Sequence, residues 1–266
     1  MTKKPELTIE EPIHIPEIRM DEITLRIIGL SPLIMHRQSD KVRKELLFPR
    51  IKTQADKQSM LKHNPVEEFH AALYRSSDEA PTATHFPSGG FSDAIAGVAV
   101  DIPGAAKKAQ MQRLTSVIGI NVPIFGIPTI KLDVVRQSGM TRAPDVRTRP
   151  CFLEWACQIT IRYYALLLNG NQIINLVQAA GQLRGIGDWR PEKGGSFGTF
   201  TVVNDDDPDF RRVVATQGKA AQITALQAPQ FFDAESEDLV AWFEEERERR
   251  APESTRTKKP KVRVIK

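Results

Sequence analysis

Between Glu22 and Leu30 apolar and polar positions alternate, with Ile23, Leu25 and Ile27 on one face. That predicts a half-buried strand which ends or bends at Ser31-Pro32 and which Leu33-Ile34-Met35 can continue. The same alternation is clearest later, where Trp155, Cys157, Ile159, Ile161 and Tyr163 interleave with Glu154, Gln158, Thr160 and Arg162. Helices are predicted in five places. Asn64 is placed to cap, with Pro65 at the first helical position and Glu67 where a capping-box carboxylate belongs, ahead of Val66, Phe69, His70 and Leu73 on one face. Asn171 to Leu183 carries Ile173, Leu176, Val177 and Ala180 as a stripe, and Ser236 is read as the cap of a terminal helix to about residue 250. Phe91 to Val100 reads as a small-residue helix entered from Phe86-Pro87-Ser88, and Pro103 as the start of a helix setting Lys107, Lys108 and Arg113 opposite Met111, Leu114 and Ile118. Thr199 to Val203 is a short strand. Two β-α units around an antiparallel sheet give an α+β, ferredoxin-like fold with helices on one face.

Other stretches break these periods. Residues 1–20 hold three prolines among mixed charges and read as an extended N-terminal arm. The core is placed at 21–204. It contains an inserted thumb-like element at about 37–62, with eight Lys or Arg against three Asp or Glu, and a basic loop at 136–150. Residues 205–266 read as a C-terminal extension, of doubtful order before Ser236 and disordered and basic from Arg256 to Lys266.

Composition narrows the classes. The chain has 266 residues, 41% hydrophobic, enough for a sizeable core, and a formal charge of only +4, so bulk charge alone does not establish a nucleic-acid partner. Cys151 and Cys157, read as lying in one extended stretch, would sit about 20 Å apart on one face and could not pair. No Cys-x-x-Cys and no helical His pair occurs, so a zinc site and a secretory disulfide framework are disfavoured. No 18-residue apolar span or signal core is present, which points to the cytoplasm and away from a membrane.

The densest chemistry lies in Gly185-Ile186-Gly187-Asp188-Trp189-Arg190-Pro191-Glu192-Lys193-Gly194-Gly195-Ser196-Phe197-Gly198, preceded by Arg184. Its glycines allow positive φ and close backbone approach, which can aim amides at a phosphate. Arg184, Arg190 and Lys193 supply charge, and Trp189 and Phe197 offer faces on which an unpaired base stacks. The alternative is a tight turn with Trp189 folded into the core. No cofactor is expected: the position three beyond Gly187 is Arg190, the preceding element is helical, and no Walker pattern occurs. Arg142, Arg147 and Arg149 form either a second phosphate-contacting strip or solvated loop charges, and Lys107 and Lys108 either a nucleic-acid contact or an exposed helix face. Asp188 and Glu192 read as partners that orient Arg190 or Lys193. The terminal helix with Leu239, Val240, Trp242 and Phe243 could dock on a neighbouring copy or on its own domain.

The glycine and arginine loop between last helix and last strand, the opening strand ending in Ser31-Pro32-Leu33, and Phe86-Pro87-Ser88 entering a small-residue helix together resemble the RAMP superfamily. These are ferredoxin-like RNA-binding proteins that form CRISPR effector backbones. The resemblance spans roughly residues 21 to 203, and Gly187 to Phe200 also resembles a Trp-Arg-Pro motif of tailed-phage proteins. It implies a non-enzymatic subunit that lines a single strand of RNA or DNA and packs against copies of itself. Gly185, Gly187, Arg190, Lys193 and Gly195 would then hold phosphate, and the helix after Pro87 would contact the strand from the other side. The chain departs from such subunits in its C-terminal extension and in lacking an obvious second aromatic cluster. His36, after the first strand, stands where RAMP-type endoribonucleases can carry a general base, so a metal-independent nuclease is one alternative. A virion or assembly protein, built on the extended termini, is another.

Overall fold

A computed structural model describes residues 17–38, 43, 47, 63–104, 106–136 and 144–250. In chain order the elements are β1 (Met20–Gly29), β2 (Leu33–Ile34), α1 (Pro65–Ala71), β3 (His85–Pro87), α2 (Ser88–Val98), α3 (Lys108–Leu114), β4 (Thr115–Val117), β5 (Asn121–Pro123), β6 (Pro128–Arg136), β7 (Pro144–Phe152), β8 (Ala156–Tyr164), α4 (Gly170–Ala179), β9 (Phe200–Val203), α5 (Pro208–Thr216), α6 (Lys219–Gln227) and α7 (Ala234–Arg250).

The alternating stretches become the centre of a four-stranded antiparallel sheet, ordered β4-β8-β1-β9. Register pairs Ile23 with Ile161, Leu25 with Ile159 and Ile27 with Cys157, so one face of both strands is apolar. The helices α2 and α4 connect β1 to β4 and β8 to β9, and they pack on each other. Phe91 and Ile95 of α2 and Ile173 and Val177 of α4 are buried in the same core as Leu25, Ile27 and Phe200. Each such side chain contributes roughly 1.5 to 3 kcal/mol through removal from water. The fold is α+β, as the patterning predicts. Asn169 caps α4 through a reciprocal capping box with Gln172, and Asn64 accepts from the Glu67 amide at the start of α1.

Several boundaries differ from the sequence reading. Of the stretch 136–150, expected as a basic loop, the described residues, 136 and 144–150, are strand: β7 pairs with β6 from Pro128↔Phe152 to Arg136↔Pro144, in a sheet ordered β2-β7-β6. Pro150 is tolerated because its carbonyl accepts from the Met35 amide, so its imino nitrogen also faces β2 and costs the β6 ladder nothing. Cys151 is next to last in β7 and Cys157 second in β8, so they lie on different strands of different sheets rather than in one extended run. Both are free and buried. The helix α2 starts at Ser88, three residues before the expected Phe91, and α3 begins at Lys108 rather than at Pro103.

The stretch before Ser236 is ordered too. Asp207 accepts from the Phe210 amide at 2.8 Å and starts α5, whose Phe210 and Val213 bury against Ala156. Gln222 of α6 is fully buried, taking the Ala83 amide at 2.7 Å and donating to the carbonyls of Ile124 and Gly126 at 2.7 and 2.8 Å. Ser236 is not the cap of α7. Asp233 caps the Ser236 amide at 2.8 Å, while the Ser236 hydroxyl accepts from the Leu132 amide at 3.1 Å and ties α7 to β6. The arm to residue 16, most of the thumb-like element and the basic tail lie outside the described residues. Among the described residues no helix is long and apolar enough to cross a membrane.

Candidate nucleic-acid interface

The glycine-rich loop is built as a clasp on the end of the first strand. Gly198 donates to the Pro32 carbonyl at 2.7 Å, Asp188 to that of Ile34 at 3.0 Å, and Ile186 to that of Gly198 at 2.9 Å. Phe197 donates to Trp189 at 3.0 Å and Gly195 to Arg190 at 3.1 Å. The expected phosphate cradle is therefore not what these glycines make, because the amides of Gly185, Gly194, Gly195 and Gly198 are already bonded to the protein's own carbonyls. Their role is close approach. A Cβ on Gly198 would lie 1.8 Å from the Ile186 carbonyl oxygen, and one on Gly195 the same distance from that of Trp189.

What the clasp holds outward is Trp189. Its φ is +54°, the left-handed region that side-chain-bearing residues seldom adopt, and the residue is 51% exposed. The turn is fixed by the Trp189 amide donating to Asp188 Oδ1 at 3.1 Å and by its carbonyl accepting from Phe197. The alternative of an interior Trp189 is thus excluded. Phe197 is half-buried, 6.4 Å from the Phe232 ring, with the Lys131 ammonium over both rings at 5.9 and 5.0 Å. This second aromatic group was missed in the sequence because Phe232 lies in the extension.

The loop cations divide. Arg184 is committed to Asp101 at 2.8 Å and Glu192 at 3.0 Å. Arg190 grips Glu192 Oε2 through Nε at 2.9 Å and Nη2 at 2.6 Å and donates Nη1 to the Gly187 carbonyl at 2.9 Å. Burial opposes ionisation of Glu192, but the Arg190 hydrogen bonds and the charges of Arg190, Lys193 and Arg184 outweigh it and hold the carboxyl below its usual range. Arg184 and Arg190 are therefore scaffold cations, not open phosphate ligands. Lys193 and Gly194 are exposed.

Asp188 turns away from the loop cations. Its Oδ2 lies 2.7 Å from Nη1 of Arg149, whose side chain is 4% exposed, and 3.7 Å from His36 Nδ1. The close approach to Arg149 is off the N–H direction, so Asp188 Oδ2 and Arg149 Nη1 and Nε, all buried, lack an aligned hydrogen bond. Burial first, then Arg149, lowers the His36 pKa against the opposing pull of Asp188. His36 is consequently neutral at pH 7. A pocket of about 250 Å³ opens here, between Ile186, Gly187 and Asp188 of the clasp and Gly90, Asp93 and Ala94 of α2, with His36, Tyr74, Phe86, Arg190 and Glu192 completing it.

The polar face of the β6–β7 pair continues from this pocket. Register sets Lys131 beside Arg149 and Asp133 beside Arg147. Alternation in Ile130-Lys131-Leu132-Asp133 was the signal that could have joined Lys131 to the site. Arg147 is half-exposed on this strand and Arg149 buried, while Arg142 lies outside the described residues. Lys108 pairs with Asp93 at 2.6 Å, which brings α3 to the pocket's edge, and Lys107 is exposed beside it. Among the described residues no group of three or more His, Cys, Asp or Glu side chains is placed to hold a metal ion.

No family model matches this chain, and no curated protein does. Among solved structures, the crystal structure of Cmr6 from Pyrococcus furiosus aligns with 70% of this chain and all of its own, at 10% identity and a TM-score of 0.30. An overlap that low carries no argument about fold or function.

Proposed function

We propose that this protein binds a single strand of RNA or DNA, acting by binding rather than by chemistry, with copies aligned along the strand. The observation that carries the reading is Trp189: an exposed indole held at positive φ by hydrogen bonds on both sides, between Asp188 and Arg190, two residues that line the pocket. A rigid, outward aromatic surface in a loop that also carries the exposed Lys193 suits an unpaired base with its phosphates. Lys193, Arg147 and Lys107 are the side chains available for those phosphates, and the likeness of the clasp and first strand to RAMP-type subunits supports the same reading. The test is fluorescence anisotropy with labelled single strands. Trp189→Ala weakens binding about 5- to 150-fold if stacking supplies roughly 1 to 3 kcal/mol; equal affinity for both proteins would reject the platform.

One observation favours a second reading. On it His36, whose side chain is 44% exposed and whose pKa burial lowers, takes a 2′-hydroxyl proton from a strand lying outside the pocket while the 2′-oxygen attacks phosphorus and the 5′-oxygen leaves with a proton from water. On that reading RNA yields 2′,3′-cyclic phosphate ends, lost in His36→Ala, and intact RNA after long incubation rejects it.

A further inference from the structure

The lining of the pocket is wrong for a phosphate. Three of its side chains are carboxylates, Asp93, Asp188 and Glu192, and the one cation among the described lining residues, Arg190, has its donors on Glu192 and the Gly187 carbonyl. The other cations that balance these carboxylates belong to residues outside the lining: Lys108 on Asp93 at 2.6 Å, Arg149 beside Asp188 at 2.7 Å, and Arg184 on Glu192 at 3.0 Å. They cancel charge from outside the cavity. The described lining is thus rich in acceptors, since ionised carboxylates accept and cannot donate. The remaining walls are flat or small: the rings of Tyr74, Phe86 and His36, and the backbone-like surfaces of Gly90, Ala94 and Gly187. At about 250 Å³ the space is several times the roughly 30 Å³ share of one water molecule.

We infer that this pocket takes one unstacked nucleobase carrying ring N–H and amino donors on its pairing edge, guanine first. Guanine presents N1–H and N2–H₂ side by side, which a carboxylate accepts as a pair. Uracil and thymine offer a single N3–H between two carbonyls that would face carboxylate oxygens. Asp93 is the carboxylate best placed for this role. Its Oδ1 is held by Lys108, which fixes its orientation, and its side chain is 47% exposed and so reachable. Trp189, next in sequence to Asp188, then stacks the neighbouring base while the strand's phosphates stay outside. The inference rests on the single-strand reading and specifies what that strand must contain.

The experiment uses the full chain and three labelled oligouridine strands, identical except for one central position that is uridine, guanosine or inosine, the last lacking the N2 amino group. Binding is read by anisotropy for the wild-type protein and for Asp93→Asn, which keeps the side chain's shape and replaces one acceptor by a donor. One bidentate base contact discriminates by about 1 to 3 kcal/mol, so the guanosine strand binds about 5- to 150-fold tighter than all-uridine. Inosine falls between, and in Asp93→Asn the guanosine-to-uridine ratio collapses toward one. Equal affinities for all three strands overturn the base pocket and leave strand binding standing. No binding of any strand overturns the strand reading and the pocket together.

Discussion

Replacing Gly198 by alanine tests whether the glycine-rich stretch is a clasp. The residue has φ +69°, and a Cβ would lie 1.8 Å from the Ile186 carbonyl oxygen. Left-handed backbone costs a residue with a side chain about 1 to 2 kcal/mol. Relieving the clash requires the loop to separate, loosening the Gly198-to-Pro32 and Ile186-to-Gly198 hydrogen bonds, at about 1 kcal/mol each, with overpacking adding about 1 to 3 kcal/mol. The sum is about 4 to 7 kcal/mol, comparable to the whole stability of many domains. Gly194 is the matched control: φ is +77° but nothing lies within 4 Å of an added Cβ, so Gly194→Ala costs only the backbone share of about 1 kcal/mol. Urea unfolding followed by circular dichroism reads both. The two variants differ by about 3 kcal/mol or more, or Gly198→Ala fails to fold while Gly194→Ala folds. A difference under about 1 kcal/mol would refute the clasp.

Three further outcomes follow from the structure. Gln222→Leu orphans the Ala83 amide and two carbonyls in the interior, so it lowers unfolding free energy by about 3 kcal/mol or more, and a urea midpoint unchanged from wild type would show that α6 is not tied down as described. Burial lowers the pKa of His36, His70 and His85 alike, so the unfolded chain binds more protons than the native one below about pH 6.5; stability is full above that value and lost as pH falls toward the native pKa values. A urea midpoint that is flat or rises on acidification through that window contradicts this sign, and imidazole proton shifts locate the His36 titration directly. Burial pushes the Cys151 thiol up to about 12 and raises Cys157 as well, so neither reacts with a thiol reagent in the native protein and both react in guanidinium.

The sheet was legible because period-two alternation in β1 and β8 is a direct imprint of one buried face, and α4 because its stripe has the helical period. The basic segment misled for a physical reason. Pro144, Pro150 and four arginines look like loop chemistry, yet Pro150 sits where its missing N–H faces away from β6, and Arg149 is paid for in burial by Asp188, a residue distant in sequence. The loop's location was evident from composition, but the use of its amides was not. Whether a glycine-rich turn bonds to a ligand or to its own chain depends on Ser31-Pro32-Leu33-Ile34 lying alongside, which only the tertiary structure reveals. The acceptor-rich pocket was invisible for the same reason, since Tyr74, Asp93 and Asp188 come from three separated segments.

The central claim is that the indole of Trp189 meets a base. In a Trp242→Phe background the remaining tryptophans are Trp155, fully buried, and Trp189, 51% exposed. Adding a single-stranded oligonucleotide should quench the exposed indole's emission, saturating at the concentration where anisotropy saturates, with the buried residue's share unaffected. Saturating anisotropy with no change in that emission would contradict the account.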